Sequence, residues 1–182
     1  IIVATSYLSS HFGYFGEHRR QFLKNDSRFF GRSSKMVDNN LKDYISALSS
    51  LANRLKKTNS NLIVLAPLPQ HPLYKKETCS KQWFRPEFTI SKGCDRTLKS
   101  DLVKERKHIK KELIELENKK TNFFVYDPFE KFCNSDYCFV KKEEKVLFAD
   151  DDHINQNAIE HIYPDFRKFL KTKGLLDLIS KN

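Results

Sequence analysis

Three aspartates run directly into a histidine near the end of the chain, in the segment LFADDDHINQNAIEH at residues 147–161. Asp150 stands three residues before His153, a spacing at which a carboxylate can turn back toward the Nδ1 atom of the imidazole. An aspartate in that position fixes the tautomer of the histidine and stabilises the imidazolium that forms during proton transfer. The pair therefore has the chemistry of a general base, and such a base needs a nucleophile to activate.

A helix N-terminus is the competing interpretation of the same residues. The segment that follows looks helical, Asn155 is a suitable N-cap, and acidic side chains ahead of a helix complement its dipole. In that interpretation the acids cap the helix and His153 is merely exposed. The local chemistry leaves both interpretations open.

Strands alternating with helices are predicted to position these residues. Apolar, β-branched runs predict buried parallel strands, and apolar residues at helical spacing predict amphipathic helices between them. The predicted strands are residues 1–8, 61–69 and 122–128, and the predicted helices are residues 36–58, 99–120 and 155–172. The last helix is predicted to bend or break at Pro164. This order predicts a single layered α/β domain, in which chemistry usually lies beyond the carboxyl ends of the strands.

A long loop is predicted at residues 70–97, and long loops in compact domains are often functional. Trp83 and the segment FRPEF within it could line a groove for a sugar, because aromatic rings stack on sugar faces, although packing inside the fold is their commoner role. The remaining histidines have no partner at a diagnostic spacing and are interpreted as structural or surface residues. They are His11, His18, His71, His108 and His161.

The composition is that of one folded domain with a basic surface. The chain has 182 residues, of which 39% are hydrophobic and 31% charged, and its longest apolar runs are too short to cross a bilayer. A net charge of +10 would suggest an anionic partner. Much of that charge lies at residues 99–120, where acids mix with the bases as on a solvated helix face, so nucleic acid is not expected as a partner.

Four cysteines leave three interpretations open. Cys133 and Cys138 enclose four residues, enough for a small closed loop, and Cys79 and Cys94 could bridge the long loop. Zinc ligation and free buried thiols are the alternatives to disulfides. The spacings are not those of a common zinc finger or ribbon, so we expect neither a metal nor another cofactor.

The ordered set of these segments resembles the SGNH hydrolases, and more narrowly the extracytoplasmic SGNH domain fused to membrane acyltransferases of the acyltransferase-3 (AT3) type. VLFADDDHINQNAIEHI is similar to the last block of that family, which often reads D-D-x-H-L-S-x-x-G-A. IIVATSY resembles the strand after the nucleophile block, LIVLAPLPQHP the strand ending in a proline-bearing loop, and VYDPFEKFCNSDYC the D-P segment followed by a cysteine pair. The resemblance covers nearly all of the chain.

By that resemblance the fold is a three-layer, flavodoxin-like domain with a central parallel sheet, spanning residues 1–182 and lacking its first strand. His153 is then the general base and Asp150 its orienting acid, while Asp151 and Asp152 are solvent or cap residues. Cys133 and Cys138 resemble the disulfide of the family, which implies an oxidising, extracytoplasmic compartment.

The nucleophile is the main departure from the family pattern. Members of the family carry a Gly-Asp-Ser block on the first strand, and this chain has none. Ser9 and Ser10 are weak candidates, and the better expectation is a serine upstream of Ile1, which would leave this fragment inactive by itself. Ile154 and Asn155 also stand where Leu and Ser are usual.

The resemblance implies an O-acyl transferase or esterase, acting on an acetyl group of surface carbohydrate through a Ser-His-Asp triad. An attached membrane domain would deliver the acyl donor on the extracytoplasmic face, and the basic surface could rest near anionic lipid headgroups. The alternative is a noncatalytic basic α/β module that binds nucleic acid or acidic glycans.

Overall fold

The structure is a computed structural model that describes residues 2–4, 34–74, 79 and 94–176. Its helices are α1 (Ser34–Lys56), α2 (Lys99–Lys119) and α3 (Gln156–Thr172), with a 3₁₀ helix at Phe129–Phe132. Its strands are β1 (Ile2–Ala4), β2 (Leu62–Leu65), β3 (Arg96–Leu98), β4 (Phe123–Tyr126), β5 (Tyr137–Phe139), β6 (Lys141–Lys142) and β7 (Lys145–Val146). None of the helices described is both long and apolar enough to cross a bilayer.

Strands β1, β2 and β4 form a parallel sheet with β2 in the middle. Ile63 of β2 is in register with Val3 on one side and with Phe124 on the other. Each of the three predicted strands therefore contains an observed strand, although β2 ends at Leu65, four residues earlier than predicted. Residues 5–8 of the first predicted strand lie outside the described residues.

Helices pack against both faces of this sheet, because successive strand residues point to opposite sides. One face contributes Leu62, Val64, Phe123 and Val125 to a buried cluster that also contains residues of α1 and α2. The other face contributes residues to a second cluster, which includes the apolar side of α3. The fully or largely buried members of that cluster include Ile63, Tyr126, Phe148, Ala158, Ile162 and Leu170. The α/β class is thus confirmed, while the larger flavodoxin-like sheet stays a prediction.

The three helices lie within two residues of their predicted bounds. Asn155 is the N-cap of α3, as predicted, and its side-chain oxygen accepts a hydrogen bond from the N–H of Ala158 at 3.3 Å. The predicted break at Pro164 is wrong, because α3 continues to Thr172. Buried contacts on both sides of Pro164, at Ile162 and Leu170, hold the helix together where a proline costs it a main-chain hydrogen bond.

Two small antiparallel sheets were not predicted. Strand β3 pairs with β5, and β6 pairs with β7. The β6–β7 turn contains Glu143 and Glu144 at φ angles of 47° and 62°. Two consecutive residues in the left-handed region are typical of a type I′ hairpin turn, where asparagine and glycine are the usual residues. Because glutamates occupy these two positions, the sequence does not predict the turn.

The four cysteines form two disulfides, Cys79–Cys94 and Cys133–Cys138. Zinc ligation and free thiols are therefore not the state of these residues in the structure. The second disulfide also joins two residues that form an antiparallel bridge, so it fixes the 3₁₀ helix against β5.

Candidate active site

The loop at residues 149–153 carries the predicted base, and main-chain contacts join its two ends. Phe148 and Ile154 form an isolated antiparallel bridge. Inside that bridge, the N–H of Ala149 donates a 2.7 Å hydrogen bond to the carbonyl oxygen of His153. The ends of the loop are therefore fixed before any side chain is considered.

Asparagines at the start of α3 tie the helix to strand β7. The main-chain N–H of Asn155 donates to the carbonyl oxygen of Leu147 at 3.0 Å. The side-chain amides of Asn155 and Asn157 both donate to the carbonyl oxygen of Val146, each at 2.9 Å. The side chains of these two asparagines supply this connection.

His71 joins the loop to the carboxyl end of β2. It is 1% exposed, and its main-chain N–H donates to the carbonyl oxygen of Asp151 at 2.7 Å. Its ring meets Phe148 edge to face at 4.6 Å, and its Nδ1 lies 3.0 Å from the hydroxyl of Thr97. Burial lowers the pKa of His71 to about 3, so the ring is neutral. One of the histidines interpreted as structural is therefore a core residue beside the site.

Asp150 holds His153 as the spacing predicted. The Nδ1 atom of His153 lies 2.8 Å from one carboxylate oxygen of Asp150 and 3.0 Å from the other. One of these oxygens also accepts the main-chain N–H groups of His153, at 2.7 Å, and of Asp152, at 3.0 Å. An N–H on Nδ1 that donates to Asp150 leaves Nε2 as the basic nitrogen of the ring.

These contacts shift the pKa values of both partners. The hydrogen bond that Nδ1 of His153 donates to Asp150 is the main reason that the pKa of His153 is raised, and the charges of the neighbouring aspartates add to it. Partial burial would raise the pKa of Asp150, but its two main-chain N–H donors and His153 outweigh burial and lower it. At neutral pH the pair is thus a carboxylate beside a histidine that takes up a proton readily.

Asp152 is also in contact with the histidine, and its predicted role as a solvent or cap residue is wrong. Its carboxylate lies 2.7 Å from Nδ1 of His153, and its side chain is 9% exposed, against 51% for Asp150. Burial raises the pKa of Asp152 more than the charge of His153 lowers it. No sequence signal distinguishes it from its two neighbours, because the loop backbone alone decides which of three identical side chains points inward.

Asp150, Asp152 and His153 place one ligand atom each within 4.8 Å of the others. Two carboxylate oxygens and an imidazole nitrogen at that spacing could share a divalent cation. Exposed acidic groups commonly show such spacing without an ion, so the geometry supports proton transfer and cation binding alike.

An ion pair anchors the end of the neighbouring strand β4. Asp127 follows β4 directly and contacts the guanidinium of buried Arg106 at 2.5 Å and the ammonium of Lys110 at 2.9 Å. Burial would raise the pKa of Asp127, but the charges and hydrogen bonds of Arg106 and Lys110 together outweigh burial and lower this pKa. The guanidinium also lies 4.1 Å from the centre of the Phe129 ring. The D-P segment of the sequence thus has a structural role beside the 3₁₀ helix.

Several residues of the sequence-based predictions lie outside the described residues. They are Ser9, Ser10, His11, His18, Trp83 and the FRPEF segment. His108 and His161 are on the helices α2 and α3, away from the loop at residues 149–153 in sequence.

Comparison with known proteins identifies the family. No curated protein and no solved structure matches the chain. A family model described as the SGNH domain fused to AT3 domains matches residues 1–168, which include the whole loop that carries Asp150, Asp152 and His153. The chain therefore belongs to the family of SGNH domains that are fused to AT3 domains.

Proposed function

We propose that this chain is the SGNH domain of a membrane acyltransferase that transfers an ester-linked acyl group, chiefly acetyl, to a cell-surface carbohydrate or hydrolyses it from one. The observation that carries the proposal is the 2.8 Å contact between His153 Nδ1 and the Asp150 carboxylate, beside the segment that leaves β2. Membership of a family fused to AT3 domains supports acyl chemistry.

The proposed mechanism is that of a Ser-His-Asp triad. Nε2 of His153 removes the proton of the serine hydroxyl as its oxygen attacks the carbonyl carbon of the acyl donor. The same nitrogen returns the proton to the leaving group, which leaves an ester between the acyl group and the serine. A sugar hydroxyl, or water in hydrolysis, then attacks that ester while His153 takes its proton. The bond to the serine oxygen breaks, and His153 returns the proton to that oxygen, which restores the serine hydroxyl and the neutral base. Asp150 stabilises the imidazolium in both steps, and main-chain N–H groups stabilise the oxyanion.

The nucleophile is assigned to a serine that precedes Ile1 in a longer protein, with Ser9 and Ser10 as the alternatives within this chain. The assignment is supported by the absence of a Gly-Asp-Ser block from the sequence. The chain by itself is therefore expected to be inactive.

The proposed location is the extracytoplasmic face of a membrane, in one protein with the domain that delivers the acyl donor. Two disulfides support an oxidising compartment, and the family's fusion to AT3 domains supports a membrane attachment. A complete three-layer, flavodoxin-like sheet would surround the described strands. The net charge of +10 favours a position near anionic headgroups.

The test is to replace His153 by Ala in the full-length protein and to measure transfer or release of acetyl from an activated ester. We expect kcat to fall by a factor on the order of 10³ or more, as when a triad member is removed. His108→Ala, on α2, is the matched control and should keep the wild-type rate. Pre-treatment with a chelator should leave the activity of the wild-type protein unchanged. A loss of activity that a divalent cation restores would indicate a metal site.

Wild-type activity in His153→Ala would refute the proposal. If that variant were active and the protein also bound polyanions with an affinity that falls steeply with salt, the noncatalytic basic module would be the better interpretation.

A further inference from the structure

We propose that Asp152 is a second positioning residue for the base, which holds Nδ1 of His153 together with Asp150 and supplies the less screened of the two negative charges. This inference rests on the proposed function, since it concerns how the base is oriented and charged. It assigns a role to a carboxylate that lies outside the D-x-x-H pair.

Both carboxylates approach the same ring nitrogen. Asp152 lies 2.7 Å from Nδ1 and Asp150 lies 2.8 Å from the same atom. The N–H at Nδ1 donates its hydrogen bond to Asp150, and the carboxylate of Asp152 contacts the same nitrogen as an ion-pair partner. When His153 takes up a second proton, both carboxylates face the positive ring.

Their other contacts are unequal. One oxygen of Asp150 already accepts two main-chain N–H groups, those of Asp152 and His153. These bonds define the turn of the loop, so much of the role of Asp150 is to shape the backbone. Asp152 donates its main-chain N–H to that turn, and its carboxylate is the group that the turn directs inward.

Burial makes the charge of Asp152 the more effective one. Its side chain is 9% exposed and that of Asp150 is 51% exposed, so water screens Asp152 much less. The backbone on its N-terminal side is held by the hydrogen bond between His71 and the carbonyl of Asp151. His71 is itself buried and neutral, and thus adds no competing charge.

The experiment uses Asp150→Asn, Asp152→Asn and the double variant in the full-length protein, with Asp151→Asn as the matched control. Asp151→Asn removes an equal charge from the same loop, and the main-chain bond to His71 does not depend on its side chain. The pKa of His153 is read from the pH dependence of its modification by diethyl pyrocarbonate, with mass spectrometry of the modified peptide. The pH profiles of kcat and KM are measured in parallel.

We expect Asp152→Asn to lower the pKa of His153 by about one unit, as loss of an opposite charge at contact distance should. We expect kcat to fall at least about tenfold with little change in KM, and the double variant to lose more than the two single losses combined. Asp151→Asn should keep the wild-type kcat and should lower the pKa of His153 less than Asp152→Asn does, because the charge of Asp151 contributes less to that pKa than the charge of Asp152.

If the pKa of His153 is the same in Asp152→Asn as in Asp151→Asn, the inference is overturned, whatever the activity of the two variants. A fall in kcat without a shift of that pKa also overturns it, because a purely structural role would have that result. Failure of the proposed function is distinguishable from both, since it would show as a wild-type rate in His153→Ala while the pKa measurement on Asp152→Asn remained valid.

Discussion

The main-chain N–H of His71 donates a 2.7 Å hydrogen bond to the carbonyl oxygen of Asp151. This bond joins the segment that leaves β2 to the loop that carries His153. Because β2 is the middle strand of the described parallel sheet and Leu62, Ile63 and Val64 are fully buried, the bond connects the loop of the base to a segment that follows a core strand. A main-chain bond also survives substitution of either side chain, so the loop can be tested residue by residue.

Covalent labelling should locate the nucleophile. A fluorophosphonate reacts with an activated serine, so the full-length protein should be labelled on a serine that precedes Ile1, and His153→Ala should lose the label. Peptide mapping by mass spectrometry identifies the labelled residue. The 182-residue chain should remain unlabelled. Labelling of Ser9 or Ser10 in that chain would show that the nucleophile lies within it.

The pH dependence of kcat should depend on Asp150. The base must be neutral to act, and its raised pKa means that activity rises with pH through a midpoint above the usual histidine value of 6.5. Asp150→Asn removes the main cause of the raised pKa, so the midpoint should move to lower pH while the maximal rate falls. Asparagine can still accept the main-chain N–H groups of the turn, which keeps the loop folded. A midpoint that does not move, in kcat measured from pH 5 to 9, would contradict this assignment.

Acid should destabilise the protein through His71. Its pKa is lowered to about 3 in the folded state, so the unfolded chain binds a proton that the folded chain does not between that value and 6.5. The contribution of neutral His71 is complete above pH 6.5 and declines as the pH falls. Between pH 7 and pH 5.5 the loss should be about 1 kcal/mol. Urea unfolding at the two pH values measures it.

His71→Gln is the comparison that isolates this effect. The variant should be less stable than the wild type at pH 7, but it should lack the loss of stability that His71 causes between pH 7 and pH 5.5. His153 acts in the opposite direction, because its raised pKa stabilises the folded state as the pH falls, and both proteins contain it. Equal losses in the two proteins would show that His71 is not the responsible group.

Substitutions in the β6–β7 turn should raise the stability of the protein. Glu143 and Glu144 both have positive φ, which costs a residue with a side chain about 1 kcal/mol or more. Replacing them by Asn and Gly should raise the stability by about 1 kcal/mol, and the melting temperature by about 3 °C. The matched control is the double alanine variant, which removes both charges but keeps the strained backbone, and it should show no gain. A gain in the control would attribute the effect to charge.

The layers of the fold are predictable because they depend on burial over many residues. Apolar alternation predicts β2 and β4, and helical spacing predicts α1 and α2, since each pattern sums many small burial energies. Asn155 is predictable as a cap because its local chemistry suffices. The β6–β7 turn is not predictable in this way, because Glu143 and Glu144 are not residues that favour the positive φ of a two-residue hairpin connection.

The candidate site divides in the same way. The contact between Asp150 and His153 follows from their spacing in one turn. The burial of Asp152 and the position of His71 do not, because both depend on where a distant segment meets the loop. Pro164 is a further example, since its effect on α3 is decided by packing against the sheet rather than by its own preference.

The two disulfides join each cysteine to its neighbour in chain order, Cys79 to Cys94 and then Cys133 to Cys138. As a polypeptide emerges from its N-terminal end, the first pair is complete before the third cysteine appears. Joining Cys94 to Cys133 instead would close a longer loop, which costs more chain entropy than closing either native one. The native pairing is therefore also the one that oxidation reaches first, and a chain of this kind can mature without having its disulfides reshuffled.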